Sequence, residues 1–257
     1  AMEKISANPD IILECGKAGE LAVPAKLSTE EERIVTEDSD SLMCGGNRSV
    51  DENSMSGRNG GEGLAVEETM ETEFLQGIYV IQTEADGRFI KRMKEYLTYE
   101  EAAEACGVDE EILLLRQEIS GKSEWYNGLM PPDNLNPESV KTFLKLTHEH
   151  YEEVFGGSFP KEVKGFFTDE PNCCDFFSVF HEGRPWIPWS IGFTEYFIEK
   201  RGYDPQEKLP YLFFDGEGAE KIRHDYWKTV AQRFEESYMK QVYEWCDKRG
   251  LRTTGHI

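Results

Sequence analysis

A short β-type run, Val-Lys-Gly-Phe-Phe-Thr at 163–168, ends in Asp169-Glu170-Pro171. Pro171 has no N–H to give and stops any ladder there. Glu170 therefore reads as a carboxylate at the tip of a strand, next to aromatic residues. Partial burial against rings raises a carboxyl pKa toward working pH, which suits a general acid. The plainer reading is a strand-end carboxylate that caps a backbone or pairs with an arginine. Asp169 is adjacent, so on a regular strand its side chain leaves the opposite face. It could orient Glu170, bind a hydroxyl, or form an ion pair away from any site. His256 ends a second such run and could bond a substrate hydroxyl, or be a satisfied core histidine.

The segment 172–190 is rich in groups that could meet a ligand. It holds Cys173-Cys174, Asp175, Phe176-Phe177, Phe180, His181, Arg184, Trp186 and Trp189. Long loops at strand ends commonly line sites. Exposed Trp186 and Trp189 could stack on sugar C–H faces, and Arg184 could bind hydroxyls. Equally, the rings could cover an apolar rim. Asp175, His181 and Glu170 match no specific metal-ligand spacing, so no metal is assigned. The vicinal cysteines read as small apolar fillers. His148 and His150 stand two apart on one helix and cannot chelate together, and His148 lies off the apolar stripe, so solvent is its expected environment.

The elements that would position these groups are legible from Phe74 onward. Residues 77–82 read as a strand and 89–97 as a second, with Asp86-Gly87 as a turn signal between them. Residues 99–106 read as a short helix stopped by Gly107, and 112–115 as a strand. Asn136-Pro137-Glu138 is a helix start. Val140, Phe143, Leu144, Thr147, Tyr151, Val154 and Phe155 then form one expected buried stripe. A short helix over 193–201 stops at Gly202. A long one over 219–249 carries Ile222, Tyr226, Val230, Phe234, Tyr238, Val242 and Trp245, and 251–254 starts another strand. This alternation reads as βα units around a parallel sheet, with chemistry at the C-terminal strand ends.

Composition limits the function classes. The chain has 257 residues, 28 Lys+Arg, 50 Asp+Glu and a net charge of −22. Its pI near 4.6 argues against nucleic acid and anionic membranes as partners. No run of 18 apolar residues or secretory signal is visible, and six cysteines show no paired spacing, so a reducing, cytoplasmic compartment is expected. All 31 aromatic residues lie from Phe74 onward. Residues 1–73 carry 17 acids and 6 bases. Such a segment buries too little apolar area to offset backbone entropy of about 1–2 kcal/mol per residue. It is expected to be largely irregular, although Ile11–Leu13 and Leu21–Val23 could pair with something larger.

Three groups of motifs resemble a bacterial glycoside hydrolase group with a (β/α)8 catalytic barrel, close to glycoside hydrolase family 106, the α-L-rhamnosidases. The first is Leu135-Asn136-Pro137-Glu138 with Thr147-His148-Glu149 and Tyr151. The second is Gly165-Phe166-Phe167-Thr168-Asp169-Glu170-Pro171. The third is Gly202-Tyr203-Asp204 with Arg223, Asp225-Tyr226-Trp227, Trp245-Cys246 and Thr254-Gly255-His256. Together they span about residues 125–257, roughly half the chain. The resemblance implies a sugar substrate, Glu170 as general acid, and Asn136 and His256 near the site. Calcium is implied by the resemblance alone; no other cofactor is. The acidic residues that come after the Gly-His strand in look-alikes would fall beyond Ile257, and Asp175 and Glu182 are weak stand-ins for a second carboxylate. The expected fold is α/β, a partial (β/α)8 TIM-barrel-like set of parallel strands with crossover helices. Its domain is 74–257, with 74–125 as a possible insertion, preceded by the acidic segment 1–73. The alternative function is a non-catalytic carbohydrate-binding or interaction module using the Trp-rich loop 172–190. Oligomeric state is not legible.

Overall fold

The computed structural model describes residues 9–21, 73–119, 126, 128–173 and 183–256. Seven strands appear among them: β1 (Pro9–Gly16), β2 (Glu73–Thr83), β3 (Ile90–Tyr96), β4 (Glu111–Ile119), β5 (Gly165–Thr168), β6 (Trp186–Pro188) and β7 (Arg252–Gly255). Helix α1 is Tyr99–Ala105, α2 is Pro137–Leu144, α3 is His150–Phe155 and α4 is Phe193–Arg201. The last two helices are α5 (Ala219–Phe234) and α6 (Lys240–Asp247). Each element expected from the sequence is present, within a few residues of its expected bounds.

Their arrangement overturns the barrel expectation. Five strands form one sheet in the order β3-β2-β4-β1-β6, and all its pairings are antiparallel. Only β5 and β7 lie parallel, as a separate pair. No TIM-barrel-like set of parallel strands is present among the described residues. The connection lengths explain part of this. The turn at Asp86-Gly87 between β2 and β3 is too short for a crossover, so a hairpin must form. The apolar run of β4 gave no warning. A strand covered on both faces reads the same in a parallel or an antiparallel sheet.

The acidic segment was expected to precede the fold as irregular chain, yet it supplies β1. Ile11 and Ile12 are fully buried, and β1 runs between β4 and β6. One sheet face packs Ile11, Leu113 and Leu115 against Trp189, Phe193 and Tyr226. The other packs Ile78, Ile112 and Leu114 against Ala102 of α1. Residues 22–72 lie outside the described residues. Among the described residues no helix is long and apolar enough to cross a membrane. Cys15, Cys106, Cys173 and Cys246 are free thiols.

The β5–β7 pair has its own core, Val140, Leu144, Tyr238, Val242 and Trp245. Both helices facing it contain a π turn, Lys145–Glu149 after α2 and Glu235–Met239 after α5. Such a turn holds an extra residue and rotates the remainder of the helix by about 100°. In the long helix this preserves the core face. Apolar residues spaced by four drift about 40° per step on an α-helix. The π turn takes up that drift, so Tyr238 and Val242 are buried like Ile222 and Tyr226. In the first helix it breaks the expected stripe. Tyr151, Val154 and Phe155 turn outward, and His148 enters the core at 7% exposure. Solvent was its expected environment, and the inserted residue is the reason it is buried instead.

His148 stacks on Phe166 at 4.4 Å and meets Trp245 edge-on at 5.1 Å. Thr147 Oγ1 donates its proton to the Phe143 carbonyl, so His148 Nδ1 must donate to Thr147 at 2.9 Å. Nε2 is then a buried acceptor with no partner among the described residues. Burial, helped by Arg249, lowers its pKa from 6.5 to about 4. The unfolded chain takes up this proton before the fold does, so stability is full above about pH 6.5 and falls as pH drops toward about 4. In paired urea titrations across that window the wild type should lose stability relative to His148→Phe as pH drops, the difference isolating this group.

Candidate functional site

The strands β5 and β7 come together because two residues lack side chains. A Cβ on Gly165 would stand 2.1 Å from the Arg252 carbonyl oxygen, and one on Gly255 1.9 Å from that of Thr168. The register sets Gly165 opposite Arg252 and Thr168 opposite Gly255. Beyond the last paired residues the backbone continues to bond. His256 N donates to Thr168 O and Glu170 N to His256 O, both at 3.2 Å. The tips of two strands distant in sequence are thereby fixed side by side.

On a regular strand Asp169 and Glu170 would point to opposite faces. They do not, because Glu170 has φ 46°, the left-handed region. Pro171 disfavours the right-handed helical region for the residue before it. A non-glycine residue held at positive φ costs on the order of 1–3 kcal/mol. The reversal breaks the alternation, and one oxygen or nitrogen from each of Asp169, Glu170 and His256 falls within 4.8 Å of the others. All three side chains are exposed. Glu170 therefore lacks the burial against aromatic rings that its position suggested.

His256 Nδ1 lies 2.9 Å from Asp169 Oδ1. An ionised carboxylate only accepts, so Nδ1 carries the proton and a neutral ring presents Nε2 as an acceptor. The ring also meets Phe167 edge-on at 5.3 Å. No hydrogen bond among the described residues occupies the Glu170 carboxylate. This leaves a carboxyl group able to exchange a proton beside an oriented imidazole. At this cluster the described residues offer two carboxylates and one imidazole. A calcium ion takes about six to eight oxygen ligands, so this set does not fit one.

Support comes from the long helix. Tyr238, in its π turn, bonds Thr168 Oγ1 at 2.9 Å, and burial raises the phenol pKa. A cleft of about 530 Å³ opens beside this contact, lined by Thr168, Tyr238, Met239, Val242, Thr253 and Gly255. Ser237 Oγ donates to the Asn134 carbonyl at 2.7 Å, and Gln241 Nε2 to that of Pro137 at 3.0 Å. One helix thus holds both the β5 tip and the turn that opens α2.

The other expected residues fall elsewhere. Asn136 caps α2, its Oδ1 accepting from Glu138 N at 3.0 Å. Its neighbour Asn134 is the residue bonded to the segment after Glu170, through Nδ2 to Asn172 O at 2.8 Å. The helix-start signal in the sequence singled out Asn136, and nothing local marked Asn134. Trp189 was expected on an exposed loop. It is 2% exposed and packs on Phe193 at 4.8 Å, so it cannot stack on a sugar. Trp186 is half-buried in β6, opposite Ile12. Arg184 grips Glu118 with two bonds of 2.7 and 2.8 Å and also reaches Glu14. Trp186 lies in the five-stranded sheet, and Arg184 and Trp189, on either side of β6, pack on it or pair with it. A β-strand was hidden in the loop reading because Trp-Ile-Pro is short and proline-bounded. Asp175, His181, Glu182 and the adjacent aromatic residues lie outside the described residues.

Gly255→Ala should push β7 off Thr168 and cost about 1–3 kcal/mol. Urea denaturation measures the loss. Tyr238→Phe should cost less, about 0.5–1.5 kcal/mol for one hydrogen bond.

No protein-family model and no curated protein matches the chain. Among solved structures, a rhamnosidase from Novosphingobium sp. PP1Y aligns over 58% of this chain at 18% identity, with a TM-score of 0.43. The aligned part spans 14% of that protein. A likeness this slight carries no argument about fold or activity.

Proposed function

We propose that the chain carries a glycosidase-type site in which Glu170 is the general acid. The observation that supports it best is the convergence of Asp169, Glu170 and His256 at the tips of β5 and β7. The parallel pair presents these polar groups together at one end, beside the cleft lined by Thr168, Tyr238 and Gly255. The motif resemblance supplies the reaction type, hydrolysis of a glycosidic bond, with an α-L-rhamnoside as the first substrate to try.

In this reading Glu170 protonates the leaving glycosidic oxygen. Bound carbohydrate would cover the carboxyl and exclude water as the proton moves. His256, held by Asp169, accepts a hydrogen bond from a sugar hydroxyl through Nε2. Asn136 contributes by setting the start of α2. Water or a second carboxylate attacks the anomeric carbon.

Turnover of a panel of chromogenic glycosides tests this. Glu170→Gln should lower hydrolysis by at least about 100-fold, with an unchanged unfolding midpoint. Near-normal turnover by that variant would sink the assignment. If the wild type turns over no glycoside but its tryptophan fluorescence responds to sugar, the protein is a binding module instead.

A further inference from the structure

Asp133 opens the turn that leads into α2, and it is fully buried. Its Oδ2 accepts from Ser190 Oγ at 2.8 Å, just past β6, and its Oδ1 accepts from Leu135 N at 3.0 Å. The next residues reach in other directions. Arg233 Nε donates to the Leu135 carbonyl at 2.9 Å, and Ser237 Oγ to that of Asn134 at 2.7 Å. Asn134 Nδ2 donates to Asn172 O at 2.8 Å, two residues beyond Glu170. One short turn is therefore tied to the large sheet, to the long helix and to the segment leaving β5.

We propose that Asp133 is a proton-dependent positioning residue: gain or loss of a proton on its buried carboxyl resets the turn 133–136 and, through the Asn134–Asn172 bond, the backbone immediately after Glu170. The inference stands on this geometry whatever the site acts upon.

The groups around the carboxyl explain how it would work. Among the described residues Arg233, from α5, is the charged group acting on it. Ser190 faces it from beyond β6, and the amides of Leu135 and Asn136 face it from its own turn. Burial outweighs these and pushes the pKa up to about 7. A hydroxyl can turn round and an amide cannot. A proton taken from solvent therefore settles on Oδ2, and Ser190 reverses to accept it. Oδ1 keeps the Leu135 bond but loses its charge assistance, which roughly halves such a bond. The turn is held tightly above neutral pH and loosens below it. Global stability runs the other way. The fold binds this proton more strongly than the unfolded chain, so this group's contribution falls as pH rises from about 4 to about 7.

Side-chain carboxyl and backbone NMR of the whole chain, titrated from about pH 5 to about 9, reads the device directly. The Asp133 carboxyl should titrate near 7. The amides of Leu135 and Asn172 should shift with the same midpoint. Asp133→Asn should abolish both amide shifts. Asn134→Ala should leave the Asp133 titration and the Leu135 shift intact while removing the one at Asn172. The proposal is overturned if Asp133 titrates in the ordinary carboxylate range, or if the Asn172 shift survives in either variant. Should Asp133→Asn fail to fold, the wild-type titration and Asn134→Ala decide the matter between them.

Discussion

At residues 165 and 255 two strands approach so closely that any side chain would collide with a carbonyl oxygen of the neighbour, at 2.1 and 1.9 Å. That approach fixes the register of β5 on β7. The register in turn sets His256 against Thr168 and Glu170 along the backbone. Only then can the left-handed turn at Glu170 bring two consecutive carboxylates to one imidazole. The strain of that turn is offset by the Glu170 N–H bond to His256 O, which a regular strand end would leave to water. Remove either glycine and the polar cluster loses its geometry, though no polar residue has changed.

The helices facing the pair solve a related problem of periodicity. Apolar residues every four positions do not stay on one face of an α-helix. The π turn at Glu235–Met239 restores the face and delivers Tyr238 to Thr168 and Ser237 to Asn134. The matching turn at Lys145–Glu149 has the opposite consequence. It trades three apolar residues for a buried histidine, which stacks on Phe166 in the strand that leads to Glu170. Both insertions sit beside the β5–β7 pair, where π turns commonly accompany functional positions.

The five-stranded sheet is a platform rather than a source of ligands. Its charged network joins Arg184 to Glu118 and Glu14, and Arg116 to Glu14. Arg116 is nearly buried, so an unpaired carboxylate or guanidinium here would be costly. The same stretch of chain ends at Ser190, which bonds Asp133. Through that carboxyl the sheet communicates with the turn at the head of α2.

The sequence determined the elements. Capping by Asn136, the stops at Gly202 and Gly250, and the apolar periods located almost every helix and strand, because those signals are local. It also picked out Asp169, Glu170 and His256 as polar strand ends. What it could not decide was partnership. The apolar run of β4 fits either strand direction, and Ile11–Leu13 finds burial only against strands far along the chain. The convergence of Asp169 with Glu170 contradicts strand alternation and depends on one backbone angle. Trp189, Arg184 and His148 resembled surface or site residues, yet tertiary packing assigned them to core and frame. Asp133 carried no signal of its own, since its role arises entirely from what surrounds it. Local patterns fix where the chain is helix or strand; burial, register and close approach are properties of pairs of segments, and only the folded structure specifies the pairs.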